Sequence, residues 1–530
     1  MLLSAARITT CGHAPMPTRT PDTPHQPATP AIQQAQSARA LQRAGEALPG
    51  ALAWLVGPTA LLAAWRAREA LLWITALLAV YLAARFVLAA IAQARGLRLI
   101  RQWERTDWRA EYARRAGPGS LPREEVHHLV LLPSVDESEA LLRRALDRLA
   151  AWSDARQSMS VVLAVEAAAP GAPARAHRLR RAYADRFRRV LVTVHPADLP
   201  GEIAGKSANL AWARRDIRRF LSADTSFAPD RAIVTVMDAD TLWHPAYFDC
   251  LTTLFATDPA RHATYWQAPI RYHGNIWAAH PLMRPLHAQA SAWELAYLAA
   301  PWWMALPMSS YSLSLRLLDE AGSWDADVIA DEWHMAIKSF FARRGQQRLQ
   351  PVFLPFLAHA TTAGTIPATL AARYCQTLRH AWGAREIGYA LACARQNPGT
   401  PRRAALRLAG RAAHDNLIAG AGALLLAAGT QLPLLVAPGW VRAHLLSAPL
   451  VIINLALLIV AGVSVLLWAW DLRLRPPRST PWTLRARLAE GIALLLLPTL
   501  TAVCVTLPVL HAQTRLLLGR ALRFTVTAKE

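Results

Sequence analysis

The chain has 530 residues, of which 53% are hydrophobic and only 18% are charged, and its 58 Lys and Arg outnumber its 36 Asp and Glu. This composition excludes a disordered protein, and a mean hydropathy of +0.17 is unusual for a purely soluble one. At about 150 residues per domain, the length predicts roughly two to four domains. We therefore expect a soluble domain fused to membrane helices.

The net charge of +22 is carried almost entirely by Arg, since the sequence contains only three Lys. The Arg residues gather beside apolar runs, as they do in the cytoplasmic flanks of membrane helices. No nucleic-acid-binding motif accompanies the charge, so we expect membrane lipids and not nucleic acid as partners. The five cysteines are scattered and form no CxxC pair, which favours a reducing compartment over a zinc site or a disulfide framework.

Three segments precede the first predicted strand. Residues 1–47 are rich in Pro, Thr, Ala and Gln and predict a disordered tail without a signal peptide. Residues 48–94 contain two apolar runs, Leu48–Trp65 and Ala70–Ala92, which are long enough to form a transmembrane hairpin. Residues 95–121 are dense in Arg and predict a basic cytoplasmic linker.

Residues 122–400 alternate short β-branched runs with charged helical segments, a pattern typical of a parallel α/β sheet. The predicted strands are His128–Pro133, Ser160–Val165, Arg189–Val194 and Ala232–Met237. The predicted helices between them are Ser138–Ala151, Ala174–Phe187 and Lys206–Phe220. Because ligands bind at the carboxyl ends of such strands, the residues that follow each strand are the candidates for a site.

Residues 401–530 are again apolar and contain three predicted spans, Asn416–Ala437, Leu445–Trp470 and Leu488–Leu510. This makes five spans in total and leaves the side of the C terminus open, because an odd number of spans conflicts with the basic tail. The segment Ala288–Met308, rich in Trp and Tyr, is either an interfacial element or a buried helix of the α/β domain.

Two motifs follow or flank the fourth predicted strand. Asp238 and Asp240 come directly after that strand with one residue between them, and two carboxylates so spaced can hold Mg²⁺ or Mn²⁺ against a diphosphate. The alternative is a turn or a helix cap. The run Gly201–Asn209 precedes a predicted helix and lacks the spacing of a P-loop. Within it, Lys206 offers a compact charge at a helix N-terminus that can face an anion.

Two further motifs lie closer to the C terminus. Asp331 and Glu332 stand at the start of a helical run, where a carboxylate is either a general base or a cap that matches the helix dipole. Gln376 and Arg379 share one helix face, with Trp382 close behind, which suits contact with a sugar or a pyrophosphate and equally suits an ordinary surface helix.

The order of these motifs resembles family 2 of the nucleotide-sugar glycosyltransferases, which includes the membrane-bound cellulose, chitin and hyaluronan synthases. The resemblance covers about residues 122 to 395. It rests on the segments Leu132–Glu137, Gly205–Asn209, Asp238–Asp240, Asp331–His334 and Gln376–Trp382, with support from Tyr265–Pro269, Tyr311–Ser314 and Phe524–Lys529.

The resemblance implies an α/β catalytic domain of the GT-A type, Rossmann-like, flanked by transmembrane α-helices. It also implies a metal-dependent hexosyltransferase that uses a nucleotide-diphosphate sugar donor and inverts the anomeric carbon. By position, Glu332 is the catalytic base with Asp331 beside it, and Asp240 binds Mg²⁺ or Mn²⁺ together with Asp238. The donor and nucleotide residues are Asp136, Glu166, Lys206, Asn209 and Asp238, and the acceptor and pyrophosphate residues are Gln376, Arg379 and Trp382.

The expected acceptor is a polysaccharide or a lipid-linked glycan, with processive and single addition both open. The expected location is a bacterial inner membrane, with several spans, a cytoplasmic catalytic domain and partner subunits of a secretion complex. The alternative function is a catalytically inactive scaffold subunit that binds nucleotide or glycan, motivated by the order Asp331-Glu332 and by Glu166 where the family usually has Asp.

Overall fold

The structure is a computed structural model that describes residues 30–222 and 227–522, with side chains from residue 36 onward. Residues 1–29 of the predicted tail and the terminal motif Phe524–Lys529 lie outside the described residues.

Within the described residues, seven strands form one mixed sheet in the order β3-β2-β1-β4-β7-β5-β8. β1 to β4 are parallel, β7 is antiparallel to both β4 and β5, and β8 is parallel to β5. A parallel pair, β6 and β9, forms a second small sheet. The strands are β1 His127–Ser134, β2 Met159–Glu166, β3 Arg189–His195, β4 Ala232–Val236, β5 Thr264–Gln267, β6 Ile270–Arg271, β7 Tyr311–Ser314, β8 Arg348–Pro351 and β9 Phe356–Leu357.

Helices cover both faces of the sheet and surround it. The helices of residues 30–400 are α1 Pro30–Arg66, α2 Arg68–Glu104, α3 Trp108–Arg115, α4 Glu139–Ala150, α5 Ala155–Ser158, α6 Ala172–Ala182, α7 Lys206–Ser222, α8 Tyr247–Thr257, α9 Arg284–Ala299, α10 Leu315–Glu320, α11 Asp331–Ala342, α12 Ile366–Ala381 and α13 Arg385–Gln396. Those that follow are α14 Arg402–Leu417, α15 Ala423–Val436, α16 Pro438–Ala443, α17 Ala448–Leu474, α18 Leu484–Leu495, α19 Leu497–Thr501 and α20 Leu507–Leu517.

The side chains of β1 alternate between two hydrophobic clusters, as the period of two in a strand requires. Val130 and Leu132 pack with α4 and α6, whereas Leu129 and Leu131 pack with α7 on the opposite face. Because both faces are covered, the central residues of β1, β2 and β4 are buried and mostly apolar, which is why these strands were recognisable in the sequence. The expected α/β fold class is confirmed.

Five helical stretches among the described residues are long and apolar enough to cross a membrane, the number expected from the sequence. They are Gln36–Arg66, Arg68–Glu104, Arg402–Val436, Ala448–Leu474 and Leu497–Leu517. The third runs from α14 to α15 through the π-helical turn Ile418–Gly422, and the fifth contains a second such turn, Ala502–Thr506.

Two predicted boundaries are wrong. The first helix begins at Pro30 and not near Leu48, and it packs against α13. The two backbones come so close at Gly45 and Gly388 that a Cβ added to Gly45 would lie 2.6 Å from the Cα of Gly388. Residues 30–47 of the predicted disordered tail are therefore helical. They pack against α13, and the local sequence gives no indication of this contact.

The predicted span Leu488–Leu510 is also interrupted. α18 ends at Leu495 and α19 begins at Leu497, with Pro498 in the first turn of α19, where its ring is tolerated. The apolar stripe of α18 is exposed, with Leu484 at 74% and Leu495 at 81%.

The Trp-rich segment Ala288–Met308 begins in α9 and continues as irregular chain up to β7. α9 packs against α2 and α17, and Leu295 and Leu298 are buried against Ile100 and Phe353. This helix therefore joins the α/β domain to two of the apolar helices.

Candidate active site at the carboxyl ends of the strands

The Asp238-Ala239-Asp240 motif follows β4 at the carboxyl edge of the sheet, as predicted. Asp240 is buried, and its Oδ2 accepts a hydrogen bond of 2.7 Å from the backbone N–H of His359. The Asp238 side chain remains 30% exposed. The carboxylate of Asp240 is thus held by a backbone hydrogen bond, whereas that of Asp238 is partly exposed to solvent.

A loop distant in sequence holds Asp238. The Oγ of Ser309 donates a 2.6 Å hydrogen bond to Oδ2 of Asp238, and Ser309 has the left-handed φ of +53°. Gln267 positions this loop, because its Oε1 accepts from the N–H of Met308 and its Nε2 donates to the carbonyl of Ser310. Sequence reasoning missed Ser309, since no local spacing links it to Asp238.

Lys206 is the central cation of the site. Its Nζ lies 3.0 Å from Oδ1 of Asp238 and 3.1 Å from Oε1 of Glu332, and it donates to the carbonyl of Ser309. Burial lowers the pKa of Lys206, but the attraction of Asp238, Asp331 and Glu332 outweighs burial and raises that pKa well above its ordinary value. Lys206 therefore stays charged between the two carboxylates.

Asp331 and Glu332 have different surroundings at the start of α11. Asp331 is 2% exposed, and its Oδ2 has no hydrogen-bond partner among the described residues. Burial, reinforced by the charge of Glu332, raises the pKa of Asp331 well above its usual range. Glu332 is 23% exposed and is paired with Lys206.

His334 fixes α11 to α13. Its Nδ1 lies 2.9 Å from Oε2 of Glu386 and its Nε2 lies 3.0 Å from Oδ2 of Asp325, while the ring stacks on Tyr389. Burial lowers the pKa of His334, but the two carboxylates outweigh burial and raise that pKa to about 9. The imidazolium therefore joins two acidic groups, and this arrangement was not predicted because its members come from three separate segments.

The predicted nucleotide residues divide into exposed and buried positions. Asp136 is exposed in the loop after β1. Glu166, the last residue of β2, is buried, and its Oε2 lies 2.8 Å from Nδ1 of His195, whose Nε2 lies 2.7 Å from Glu202. Burial raises the pKa of Glu166, although His195 opposes this shift. His195 ends β3, so its position after a strand was the signal that could have identified it.

Asn209 has a packing role in this structure. It is buried in the first turns of α7, and its Nδ2 donates a 2.9 Å hydrogen bond to the carbonyl of Ala164. This contact ties α7 to β2 and thereby positions Lys206 at the start of the same helix.

The predicted acceptor residues differ in their surroundings. Burial lowers the pKa of Arg379, opposed by the charges of Asp238 and Glu332, so this guanidinium shares the electrostatic field of the site. Gln376 is buried and accepts hydrogen bonds from Thr361 and Arg373. Trp382 is 6% exposed and belongs to a hydrophobic cluster that includes residues of α20.

Many solved structures are similar to the chain at low identity. A mannosyltransferase from Pyrobaculum calidifontis with GDP-mannose and Mn²⁺ is 18% identical over 75% of this chain and 99% of that chain, with a TM-score of 0.41. Glucosyl-3-phosphoglycerate synthase from Mycobacterium tuberculosis with Mn²⁺, UDP-glucose and glycerol 3-phosphate is 19% identical, covering 51% and 80%, with a TM-score of 0.29. TarS from S. aureus with UDP-GlcNAc is 9% identical, covering 67% and 93%, with a TM-score of 0.29.

No curated protein matches this chain. The family model described as glycosyl transferase family group 2 matches residues 233–506, just over half of the sequence. The matched region begins in β4, includes the Asp238 motif and α11, and extends into the last apolar helix. The chain therefore belongs to glycosyl transferase family group 2.

Proposed function

We propose that the protein is a membrane-bound inverting hexosyltransferase that moves a sugar from a nucleotide-diphosphate sugar to a polysaccharide or lipid-linked acceptor. The observation that carries this proposal is the position of Lys206 within 3.1 Å of both Asp238 and Glu332. These three residues are far apart in the sequence and meet at the carboxyl edge of the sheet, where α/β folds bind ligands.

Asp238 and Asp240 suit a divalent cation. Among the described residues no group of three or more His, Cys, Asp or Glu forms a metal cage. Two carboxylates fit Mg²⁺ or Mn²⁺, since Mg²⁺ is usually bound through one or two carboxylates together with water and substrate phosphates. When bound, such an ion would offset charge on the departing diphosphate.

Glu332 is the residue that we assign as general base. As the acceptor hydroxyl attacks the anomeric carbon, its proton passes to Glu332, the new C–O bond forms and the bond to the nucleoside diphosphate breaks. A single displacement of this kind inverts the anomeric carbon and needs no covalent enzyme intermediate. Asp331 is only 2% exposed, whereas the Glu332 side chain is 23% exposed, so Glu332 is the more accessible of the two to an acceptor hydroxyl.

Lys206 and Arg379 are the cations that we assign to the leaving diphosphate. Lys206 contacts the carboxylate of Glu332, and both Lys206 and Arg379 interact electrostatically with Asp238. Fixed cations of this kind stabilise the charge that develops on a leaving diphosphate. We further propose that Asp136 and Glu166 contact the nucleotide, with His195 holding Glu166 in place.

The five apolar helices support location in a membrane, and the Arg-rich segments beside them favour a cytoplasmic catalytic domain in a bacterial inner membrane. A catalytically inactive scaffold in a secretion complex is the competing function. The contact of Lys206 with both carboxylates favours the enzyme, because a scaffold has no need to bring a base to the donor site.

The test is nucleotide release and sugar transfer from UDP-, GDP- and dTDP-sugars by the purified full chain with Mg²⁺ or Mn²⁺. We expect one donor to be turned over, with activity lost in Asp240→Asn and Glu332→Gln. Asp230→Asn is the matched control, since the Asp230 side chain is 70% exposed on the opposite end of the strand. Absence of turnover with every donor, together with unchanged nucleotide binding in both variants, would favour the scaffold.

A further inference from the structure

A second polar cluster lies where α2, α9 and α14 meet, outside the site at the strand ends. The carboxylate of Asp415 accepts hydrogen bonds from Arg85 at 2.7 Å, from Arg411 at 2.5 Å and from the hydroxyl of Tyr297 at 2.9 Å. His414 also contacts Asp415 at 2.9 Å. We call Arg85, Tyr297, Arg411 and Asp415 the arginine cluster.

The arginine cluster carries more positive than negative charge. Arg85 and Arg411 form ion pairs with Asp415, and within the described part of the chain neither guanidinium pairs with a second carboxylate. Each arginine side chain is only 11% exposed, and the Nε of Arg85 is buried without a hydrogen-bond partner among the described residues. An excess charge that is largely withdrawn from water is costly unless an anion accompanies it.

The arginine cluster lies beside the apolar parts of two candidate spans. Arg85 lies within the apolar run Ala70–Ala92, about 10 Å of helix before the end of that run. Asp415 directly precedes the predicted span Asn416–Ala437. Arginines this close to apolar spans are rare and mark sites that bind a charged group.

Aromatic rings link the arginine cluster to the site at the strand ends. The guanidinium of Arg85 lies 4.9 Å from the ring of Trp293, and that of Arg411 lies 4.4 Å from Tyr297 and 5.7 Å from Trp333. Trp333 directly follows Glu332, which we assign as the base. Arg411 therefore contacts the residue that follows the assigned base on α11.

We propose that Arg85 and Arg411 bind the phosphate or diphosphate of a polyprenyl-linked saccharide, whose terminal sugar hydroxyl is the acceptor. Two planar guanidinium groups match the oxygens of a phosphate, and their position beside apolar spans suits an anion attached to an apolar chain. This inference rests on the proposed function, because it names the acceptor of the same reaction. The carboxylate of Asp415, which pairs with both arginines, competes with the phosphate for them.

The test is binding of undecaprenyl phosphate to the purified full chain, measured by native mass spectrometry. Undecaprenol, phosphatidylglycerol and inorganic phosphate are the comparison ligands. We expect Arg85→Gln and Arg411→Gln to weaken binding by about tenfold or more, and Arg411→Lys to retain part of the affinity. The matched control is Arg407→Gln, since Arg407 is exposed one turn earlier on α14 and should leave binding unchanged.

Asp415→Asn gives a prediction of the opposite sign. Removing the competing carboxylate should tighten binding of undecaprenyl phosphate, whereas an ion pair with a purely structural role would give no gain. Unchanged binding in both Gln variants, weaker binding in Asp415→Asn, or equal binding of any comparison ligand would overturn the proposal. Variants are compared only if they still bind nucleotide, which shows that the α/β domain is folded.

Nucleotide release from the sugar donor without any lipid is measured in parallel. If nucleotide is released but undecaprenyl phosphate binds independently of Arg85 and Arg411, the proposed acceptor site is refuted and the proposed function stands. If lipid phosphate binds through the arginines but no donor is hydrolysed or transferred, the proposed function fails alone.

Discussion

The ammonium of Lys206 lies 3.1 Å from Oε1 of Glu332, across 126 positions of sequence. Lys206 opens α7 and Glu332 lies in the first turn of α11, so two helix N-termini meet at this contact. Both helix dipoles add positive potential where a diphosphate and an ionised base are required.

Replacing Lys206 with Met should reduce the rate of sugar transfer by about 10²- to 10³-fold, the range seen when one electrostatic donor is removed from a site. Lys206→Arg should recover part of the rate, because a planar guanidinium keeps the positive charge but not the compact shape of the ammonium group. Initial rates with the active donor measure both variants. A rate within threefold of the wild type in Lys206→Met would show that the contact is not used in catalysis.

Asp331→Asn should leave the protein folded and should flatten the pH dependence of stability. The folded-state pKa of Asp331 is raised, so its carboxyl stabilises the fold at low pH and that stability is lost as pH rises through the folded pKa. Asn resembles the protonated form at every pH. The fall in Tm between pH 5 and pH 8 should therefore be smaller in Asp331→Asn than in the wild type. An equal fall in both proteins would contradict a raised pKa for Asp331.

His334→Gln should destabilise the protein most below pH 6.5. The pKa of His334 is about 9 in the fold, so the stability from the imidazolium is complete below its ordinary pKa and is lost as pH rises through about 9. The effect should be about 2–3 kcal/mol near neutral pH and should vanish near pH 10. Exposed His177→Gln is the control. A loss of Tm in His334→Gln that does not depend on pH would indicate packing alone.

Gly388→Ala should loosen the contact between α1 and α13. An added Cβ would lie 2.1 Å from the carbonyl oxygen of Gln42, and such overpacking costs about 1–3 kcal/mol. Gly57→Ala, on the same first helix but with no atom within 4 Å of the added Cβ, should be neutral or slightly stabilising. Thermal unfolding of the two variants in detergent gives the comparison, and equal Tm values would argue against the close approach.

Trp382→Ala should behave as a core mutation. Its buried ring packs with residues of α12 and α20, and removal of such a side chain costs about 3–5 kcal/mol. Trp382→Phe should keep the KM for the acceptor within about twofold of the wild-type value, since a buried ring is not expected to contact a sugar. A KM raised tenfold or more in Trp382→Phe, with an unchanged Tm, would instead place the indole against the acceptor.

Much of the α/β domain could be predicted because its parallel strands are buried on both faces and separated by amphipathic helices. β1 to β4 and α7 were recognisable for this reason, and so was the position of Asp238 at a strand end. The start of α1 and the interruption before α19 were not recognisable. Both depend on which helix packs alongside, and that information is not local.

The sequence by itself determined the α/β class, the five apolar helices and the acidic residues at the strand ends, because these follow from periodicity, length and order along the chain. Only the tertiary structure decided that Lys206 touches Glu332, that Ser309 holds Asp238 and that Trp382 packs in the core. Contacts between distant segments depend on how layers pack. Spacing along the chain does not predict these contacts, because the packing of whole helices and strands decides which distant side chains meet.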